Sequence, residues 1–273
     1  MAEKETKNQP KDLIEPVPEE IAKLEKELEK SEVATPVAPA HEGSRGRGRE
    51  RDPEAERQRA IDAWIPKTAL GKIVKAGQEK DIDKVLSSGR KVLEPEIIDS
   101  IIRLESDLLL VGQAKGKFGG GKRRAWRQTQ KKTMEGNVVT FSAMAVVGDK
   151  KGHIGIGSGK SKETLPARAK AVRQAKLNLI KIEIGYESPE EKKLGADPHT
   201  VPFIVQGKCG SVRIKLIPAP RGTGLVVGNE VKKILRLAGI KDVYGVSSGQ
   251  TRTTFNVAKA CLDALRKTTE MKL

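Results

Sequence analysis

A strand, a tight turn, a glycine-rich strand and a basic helix follow one another near the middle of the chain. Residues 138–147 alternate between two faces, which predicts a strand. The turn at 148–152 leads into a second strand over 153–158, whose isoleucines mark the buried side and whose glycines let another backbone come close. With a further strand over 124–132, the order strand, strand, strand, helix predicts a compact α+β unit.

Positive charge is concentrated in two parts of this chain, whose formal net charge is +16. Residues 112–181 hold 17 Lys/Arg against 3 Asp/Glu, and residues 199–273 hold 13 against 4. The rest of the chain is acidic on balance. A cationic surface made only for solubility would not be concentrated in this way. The pattern favours a polyanionic partner, nucleic acid first and an acidic membrane second.

Composition and hydrophobic spacing divide the chain into five parts. A tail rich in Glu, Lys, Pro and Ala cannot bury enough apolar surface to fold alone, so it is predicted to be disordered. An apolar stripe over 94–110 predicts a helix in the section that follows the tail. The parts are a disordered tail (1–60), a helical extension (61–111), the α+β unit (112–182), a polar linker (183–198) and a second domain (199–273).

The second domain is predicted to contain three strands and two helices. A hairpin opens it, and helices are predicted over 229–238 and 254–267 with a short strand between them. In the α+β unit, the packed face of the helix is predicted at Leu165, Ala169, Val172, the stem of Lys176 and Leu179. Ser161 or Thr164 is predicted as its cap.

Chemical sites are not indicated. GIGSGKS at 155–161 is one residue short of a phosphate-binding loop, because Ile154 stands where that motif needs glycine. The three histidines are dispersed, and no nucleophile with its base, carboxylate pair or metal-ligand spacing emerges, so we expect no catalytic site, metal or cofactor. Cys209 and Cys261 are far apart and predict neither a disulfide framework nor a zinc site.

No apolar run approaches the length that spans a bilayer, and the N-terminus lacks the apolar core of a signal peptide. We therefore expect a cytoplasmic protein without a membrane partner.

The α+β unit has a physical rationale for duplex RNA. Side chains cannot easily read the deep, narrow groove of an A-form helix, so proteins bridge its phosphates with Lys and Arg. A helix N-terminus adds backbone N–H donors, and the glycine-rich strand is interpreted as the close-approach face of an RNA-binding sheet. The candidate RNA-binding residues are Lys115, Lys117, Lys122, Arg123, Arg124, Arg127, Lys131, Lys132, Lys150, Lys151, Lys160, Lys162, Arg168, Lys170, Arg221 and Arg252.

Several long motifs resemble one known family. FSAMAVVGDKKGHIGIGSGKSKETLPARAKAVRQAKLN (141–178) resembles the double-stranded-RNA-binding-like domain of the universal small-subunit ribosomal protein S-five. GKCGSVRIKLIPAPRGTGLVVG (207–228) and LRLAGIKDVYGVSSGQTRTTFNVAKACLDAL (235–265) are similar to the C-terminal domain of that family. WIPKTALGKIVKAG (64–77) and LEPEIIDSII (93–102) resemble the extension of archaeal and eukaryotic members, and the archaeal form looks closer.

This resemblance implies a three-stranded antiparallel sheet plus helix, then a small four-stranded α/β sandwich domain. It implies a structural constituent of the small ribosomal subunit that binds ribosomal RNA near the head–body junction and takes part in assembly. The implied neighbours are ribosomal proteins S-four and S-eight and the path by which messenger RNA enters, with an influence on translational accuracy. A homo-oligomer is not implied.

The loop at 131–137 matches the family's RNA-contacting loop, although Glu135 replaces a more usual small or basic residue. Two alternatives stay open: an RNA-binding regulator away from the ribosome, and an RNA-processing enzyme that uses this unit as a substrate clamp.

Overall fold

The structure is a computed structural model that describes residues 58–59, 61–114, 123–193, 195 and 197–270. The tail predicted over 1–60 lies outside the described residues except for 58 and 59. Residues Arg57–Leu273 form one compact unit. In chain order its elements are α1 (Ala69–Lys75), α2 (Ile82–Ser87), α3 (Pro95–Ile101), β1 (Glu105–Leu108), β2 (Trp126–Thr133), β3 (Gly136–Gly148), β4 (His153–Ser161), α4 (Thr164–Leu177), β5 (Leu179–Lys181), α5 (Pro189–Lys193), β6 (Val205–Cys209), β7 (Val212–Pro218), β8 (Leu225–Val226), α6 (Asn229–Ala238), β9 (Val243–Ser248) and α7 (Thr254–Glu270).

The first sheet is organised around β3. One edge of β3 pairs with β2 along its first eight residues and with β1 along its last four, while the other edge pairs with β4. β5 adds to the outer edge of β4, and every pairing is antiparallel. The sheet has five strands rather than the three predicted, because β1 and β5 are too short to show an alternating pattern. An α+β fold with two sheets is confirmed.

Helix α4 covers one face of this sheet at unusually short range. A Cβ added at Gly155, Gly157 or Gly159 would lie 2.2, 2.1 or 2.2 Å from a backbone atom of α4. The interpretation of these glycines as the close-approach face for RNA was therefore wrong, because the chain's own helix occupies that face.

Small side chains make the contact from the helix. Ala167, Ala171 and Ala175 are fully buried, whereas Leu165 is 72% exposed. Leu165 and Ala169 of the predicted packed face are exposed, and this part of the prediction was wrong because only the alanines at 167, 171 and 175 fit where the two backbones are this close. Val172 is partly buried against this contact, and Leu179 is buried. The N-cap is Glu163, and neither Ser161 nor Thr164 caps the helix.

The opposite face of the first sheet belongs to the main hydrophobic core. Met144, Val146, Ile154 and Ile156 are buried there together with apolar residues of α6 and α7. The chain thus buries both faces of β3 and β4 at the end of the sheet next to their connecting turn, one under α4 and the other under the second half of the molecule.

The second sheet has four strands in the order β6, β7, β9, β8, the number that the family resemblance implies. The residue pattern predicted three, because β8 is only two residues long. β8 runs parallel to β9, and the other pairs are antiparallel. Helix α6 has the predicted bounds and ends at Gly239, whose φ of 97° is in the left-handed region that favours glycine. Helix α7 crosses β6 closely, since a Cβ on Gly207 would lie 2.1 Å from the Ala260 carbonyl oxygen.

Helices α1 to α3 form a small core of their own that also contains Leu179 of the first sheet. The helix predicted over 94–110 ends at Ile101, and the chain continues in an extended conformation into β1. Glu94 joins the parts of this extension, because its carboxylate accepts hydrogen bonds from the Trp64 indole N–H and the backbone N–H groups of Lys67 and Thr68. Burial opposes ionisation of Glu94, but these hydrogen bonds keep its pKa below the usual value.

A cluster of four polar side chains connects the extension to the turn between β3 and β4; its members are Asp83, Asp149, His153 and Lys181. His153 Nδ1 lies 2.6 Å from Asp149, and Nε2 lies 2.8 Å from Asp83 on α2. Asp83 also accepts a hydrogen bond from Lys181 at 2.7 Å. The hydrogen bonds to Asp149 and Asp83 raise the pKa of His153 against the effect of burial, since both ring nitrogens can donate only in the imidazolium form.

Candidate nucleic-acid interface

The β2–β3 hairpin extends past the rest of the first sheet as a two-stranded ribbon. The pairing of β4 with β3 stops at Phe141, but β2 accompanies β3 for five residues more, to Gly136. At about 3.4 Å per residue, the ribbon is on the order of 17 Å long. Lys131, Lys132 and Glu135 are exposed along it, and Met134 at the tip is 106% exposed. Such a ribbon can enter a groove that the body of the sheet cannot reach.

A row of cations crosses the sheet at the base of this ribbon. Arg127 and Lys160 both pair with Ser142, from its two sides, so the three side chains point to the same face. Lys131 lies on that face too, four residues further along β2. Strands lie about 4.8 Å apart, so Arg127 and Lys160 are about 10 Å from each other. At this spacing, Arg127 and Lys160 are placed to contact two different phosphates of a polynucleotide rather than a single phosphate.

The entrance of α4 adds further positive charge at the same end of the sheet. Lys162 and Lys170 are exposed. Arg168 has a different role, because its guanidinium lies 4.8 Å from the centre of the Trp126 ring and its buried Nε has no hydrogen-bond partner among the described residues. Arg168 thus fixes α4 against the base of the ribbon.

Other cations of the same basic stretch are held by acidic residues of the chain. Lys150 pairs with Glu105, Lys176 with Asp99, and Lys181 with Asp83. All three lie away from the ribbon, at the turn end of the sheet or on the side of the extension. Of these three, only Lys150 is among the candidate residues selected from the sequence.

The remaining predicted residues lie apart from the ribbon or outside the described part. Arg221 donates to the Asp197 carbonyl oxygen at 2.8 Å and lies 3.8 Å from Glu191. Arg252 is exposed in the second half, and Arg123 and Arg124 are exposed before β2. The described residues do not include Lys115, Lys117 and Lys122.

One cationic cleft was missed by the sequence analysis. Lys150 meets Lys232, Arg236 and Lys241 around a cleft of about 510 Å³ beside the end of α6. The spacing of Lys232 and Arg236, one helical turn apart, was a signal that could have indicated a shared face. Their proximity to Lys150 depends on the packing of α6 against the β3–β4 turn, which the sequence does not reveal.

The described residues give little basis for other chemistry. They contain no group of three or more His, Cys, Asp or Glu able to hold a metal ion. Burial raises the pKa of the Cys261 thiol to about 12, so that thiol is not a nucleophile near neutral pH. No helix in the described ranges is long and apolar enough to cross a membrane.

Two antiparallel-rich sheets with helices, and exposed cations gathered on a projecting ribbon, define a class of α+β protein suited to a polyanion. Residues 125–183 match "Ribosomal protein S5, N-terminal domain", and residues 207–272 match "Ribosomal protein S5, C-terminal domain". The chain belongs to the ribosomal protein S5 family, which confirms the resemblance of its motifs.

Similar proteins come from archaea. "Small ribosomal subunit protein uS5" of Nanoarchaeum equitans is 46% identical over 214 residues, which cover 78% of this chain and 91% of the relative. The protein of the same name from Methanococcus maripaludis strain C7 is 45% identical over 75% of this chain and 82% of the relative. That from Thermofilum pendens is 43% identical over 75% and 94%. These relatives are named as proteins of the ribosome, not as enzymes.

Proposed function

We propose that this chain is a structural component of the small ribosomal subunit, in the cytoplasm, and that it binds ribosomal RNA with the ribbon end of its first sheet. The observation that carries this proposal is the projecting β2–β3 ribbon with its exposed lysines. Membership of the family agrees with that role, because the archaeal relatives are named as small-subunit proteins.

The geometry suits the phosphate backbone of RNA. The ribbon inserts its tip beside an RNA segment while Arg127 and Lys160 bridge neighbouring phosphates. Lys162 and Lys170 extend this contact over the entrance of α4. Released counterions drive such binding, so its affinity falls steeply as salt concentration rises.

All the residues predicted from the sequence are kept in the proposed set of RNA contacts, but some are proposed to contact RNA directly and others to act indirectly. Arg168 acts by positioning Trp126 and α4, and Lys150 and Arg221 reach RNA only by exchanging an acidic partner. The main RNA-binding residues proposed are Arg123, Arg124, Arg127, Lys131, Lys132, Lys160, Lys162 and Lys170, with Lys115, Lys117 and Lys122 beside them in the chain. Lys151 in the β3–β4 turn and Arg252 in the second half are proposed as separate contacts away from the ribbon end.

The finer parts of the proposal follow the family resemblance. The unit at 112–182 is a double-stranded-RNA-binding-like domain, 183–198 is a linker, and 199–273 is the C-terminal domain. The chain lies near the head–body junction, contacts S-four and S-eight, and influences assembly and translational accuracy beside the path of messenger RNA. Helices α1 to α3 are the archaeal extension.

Sedimentation of a cell extract through a gradient tests the main proposal. The chain is expected to travel with small subunits in moderate salt and to leave them in high salt. Recovery at the top of the gradient in moderate salt would favour an RNA-binding regulator and would contradict the proposal.

A further inference from the structure

A second cleft lies where three parts of the molecule meet, on the side of the extension. Its volume is about 760 Å³, and it is lined by the α2–α3 loop, by the end of α4 with β4 and β5, and by α7. The contributions from β4 and α7 are separated by about 100 residues in sequence. The cleft therefore exists only in the assembled fold.

The floor of this cleft is aliphatic. Met144, Ile156 and Leu179 are buried at its base, and Leu262 of α7 closes one side. Leu93 stands at the rim with 66% of its surface exposed. When an apolar side chain enters the cleft, it removes Leu93 and the aliphatic floor from water, and this burial of apolar surface favours binding.

The rim carries four cations and no acid. Arg90 and Lys91 come from the α2–α3 loop, and Lys259 and Arg266 come from one face of α7. All four are exposed, and none of the described residues that line the cleft is Asp or Glu. None of the ion pairs in the described part of the chain involves these four side chains. The rim is thus complementary to an occupant with negative charge.

The combination favours a protein segment over RNA. Single-stranded nucleic acid is held by aromatic rings on which bases stack, and no aromatic residue lines this cleft. Phosphates alone would engage the rim but leave the aliphatic floor and Leu93 without a partner. An amphipathic segment that presents Leu or Ile to the floor and Asp or Glu to the rim satisfies both.

We propose that this cleft docks an acidic, amphipathic segment of a neighbouring protein in the small ribosomal subunit. The proposal names an interaction surface distinct from the ribbon, and it rests on the proposed function only in that the partner resides in the subunit. Apolar side chains anchor the segment on the floor, and the four rim cations fix its register and orientation.

Photo-cross-linking inside small subunits tests this docking site. A benzophenone amino acid at position 93 of the full chain is expected to cross-link to a protein segment that contains Asp or Glu and aliphatic residues. The same probe at position 134, on the ribbon tip, is expected to cross-link to RNA. A position-93 probe that gives RNA adducts, or no adduct while position 134 reacts with RNA, would overturn the docking proposal.

Charge reversal supplies a matched comparison. Lys259→Glu with Arg266→Glu is expected to reduce the position-93 protein adduct at least tenfold, whereas Lys72→Glu with Lys80→Glu, an equal change of charge outside the cleft, leaves it unchanged. Equal adduct yields in the two double variants would also overturn the proposal. If the position-134 probe fails to reach RNA, the failure lies with the proposed RNA-binding function instead.

Discussion

The two ends of the first sheet use their cations in opposite ways. At the ribbon end, Lys131, Lys132 and Lys160 are exposed, and the described residues offer them no acidic partner. At the turn end and beside the extension, Lys150, Lys176 and Lys181 are paired with Asp or Glu of the same chain, although Lys151 in the turn is exposed and takes part in no ion pair among the described residues. The whole stretch is basic in sequence, yet acids of the chain neutralise three of its lysines away from the ribbon. Net charge favours a polyanionic partner, and the pairing of individual cations distinguishes which of them we propose as contacts.

A substitution in β4 tests whether its glycine face is covered by α4 or is available to RNA. Gly157→Ala is expected to destabilise the fold by about 3 kcal/mol, because its Cβ would overlap the backbone of α4. Denaturant unfolding measures the loss, and Ser158→Ala at the exposed neighbouring position should change stability by less than about 0.5 kcal/mol. If the Gly157→Ala protein were as stable as the unmodified protein but bound RNA more weakly, this face of β4 would contact RNA rather than α4.

Removing charge from the ribbon end should have the largest effect on RNA binding. Replacement of Lys131, Lys132, Lys160 and Lys162 by Gln is expected to flatten the dependence of log affinity on log salt by about three to four units, close to one per phosphate contact. Binding to small-subunit RNA at several salt concentrations measures this slope. The same change at Lys72, Lys75, Lys80 and Lys84 of the extension should leave it unaltered, and equal slopes in both variants would refute the division between the two ends.

The His153 cluster makes the attachment of the extension depend on pH. Because the pKa of His153 is raised in the fold above its ordinary value of 6.5, its contribution is fully present below pH 6.5 and is lost as the pH rises through the folded-state value. Hydrogen bonds from Lys181 and then from His153 lower the pKa of Asp83. Burial raises the pKa of Asp149, but hydrogen bonds from His153 and from backbone N–H groups outweigh it, so that pKa is also lowered. These carboxylates therefore remain charged across this range, and only acid conditions protonate them.

His153→Gln should cost about 2 kcal/mol near pH 6 and much less at alkaline pH. Unfolding of both proteins across this pH range provides the measurement. A cost that does not vary with pH would show that the imidazolium is not what holds the cluster.

Much of this arrangement could be predicted from the sequence, and the misses have physical causes. The alternation in β3 and the spacing in α6 are strong local signals, so both elements were found. The short strand β1 was taken as the end of a helix, because its residues continue the apolar pattern of α3 and pair only with the distant end of β3. The prediction that the β4 glycines face RNA was wrong because their partner is also not visible in the sequence. The glycines indicate that another backbone comes close, but not that this backbone is α4.

The candidate site shows the same limit. Its cations were selected by residue type and stay a prediction as RNA contacts. The pairing of Lys150 depends on Glu105 of β1, and that of Lys176 and Lys181 depends on Asp99 and Asp83 of the extension, which only the fold brings close. Contacts between residues 45 to 98 positions apart leave no periodic trace in the sequence.

The smallest effect should come from the paired cations. Lys181 lies 2.7 Å from Asp83, and both side chains are partly exposed to water. Lys181→Met is expected to cost about 0.5 kcal/mol of stability and to leave the salt dependence of RNA binding unchanged. A lowered slope in this variant, measured on the same RNA, would show that a paired lysine still contacts phosphate.

A density map of the small subunit that contains this chain would show directly whether RNA surrounds the ribbon. We expect ribosomal RNA on both sides of the β2–β3 ribbon, with phosphates within contact distance of Lys131, Lys132 and Lys160. A ribbon surrounded by solvent, with RNA placed instead against Lys176 and Lys181, would contradict this expectation.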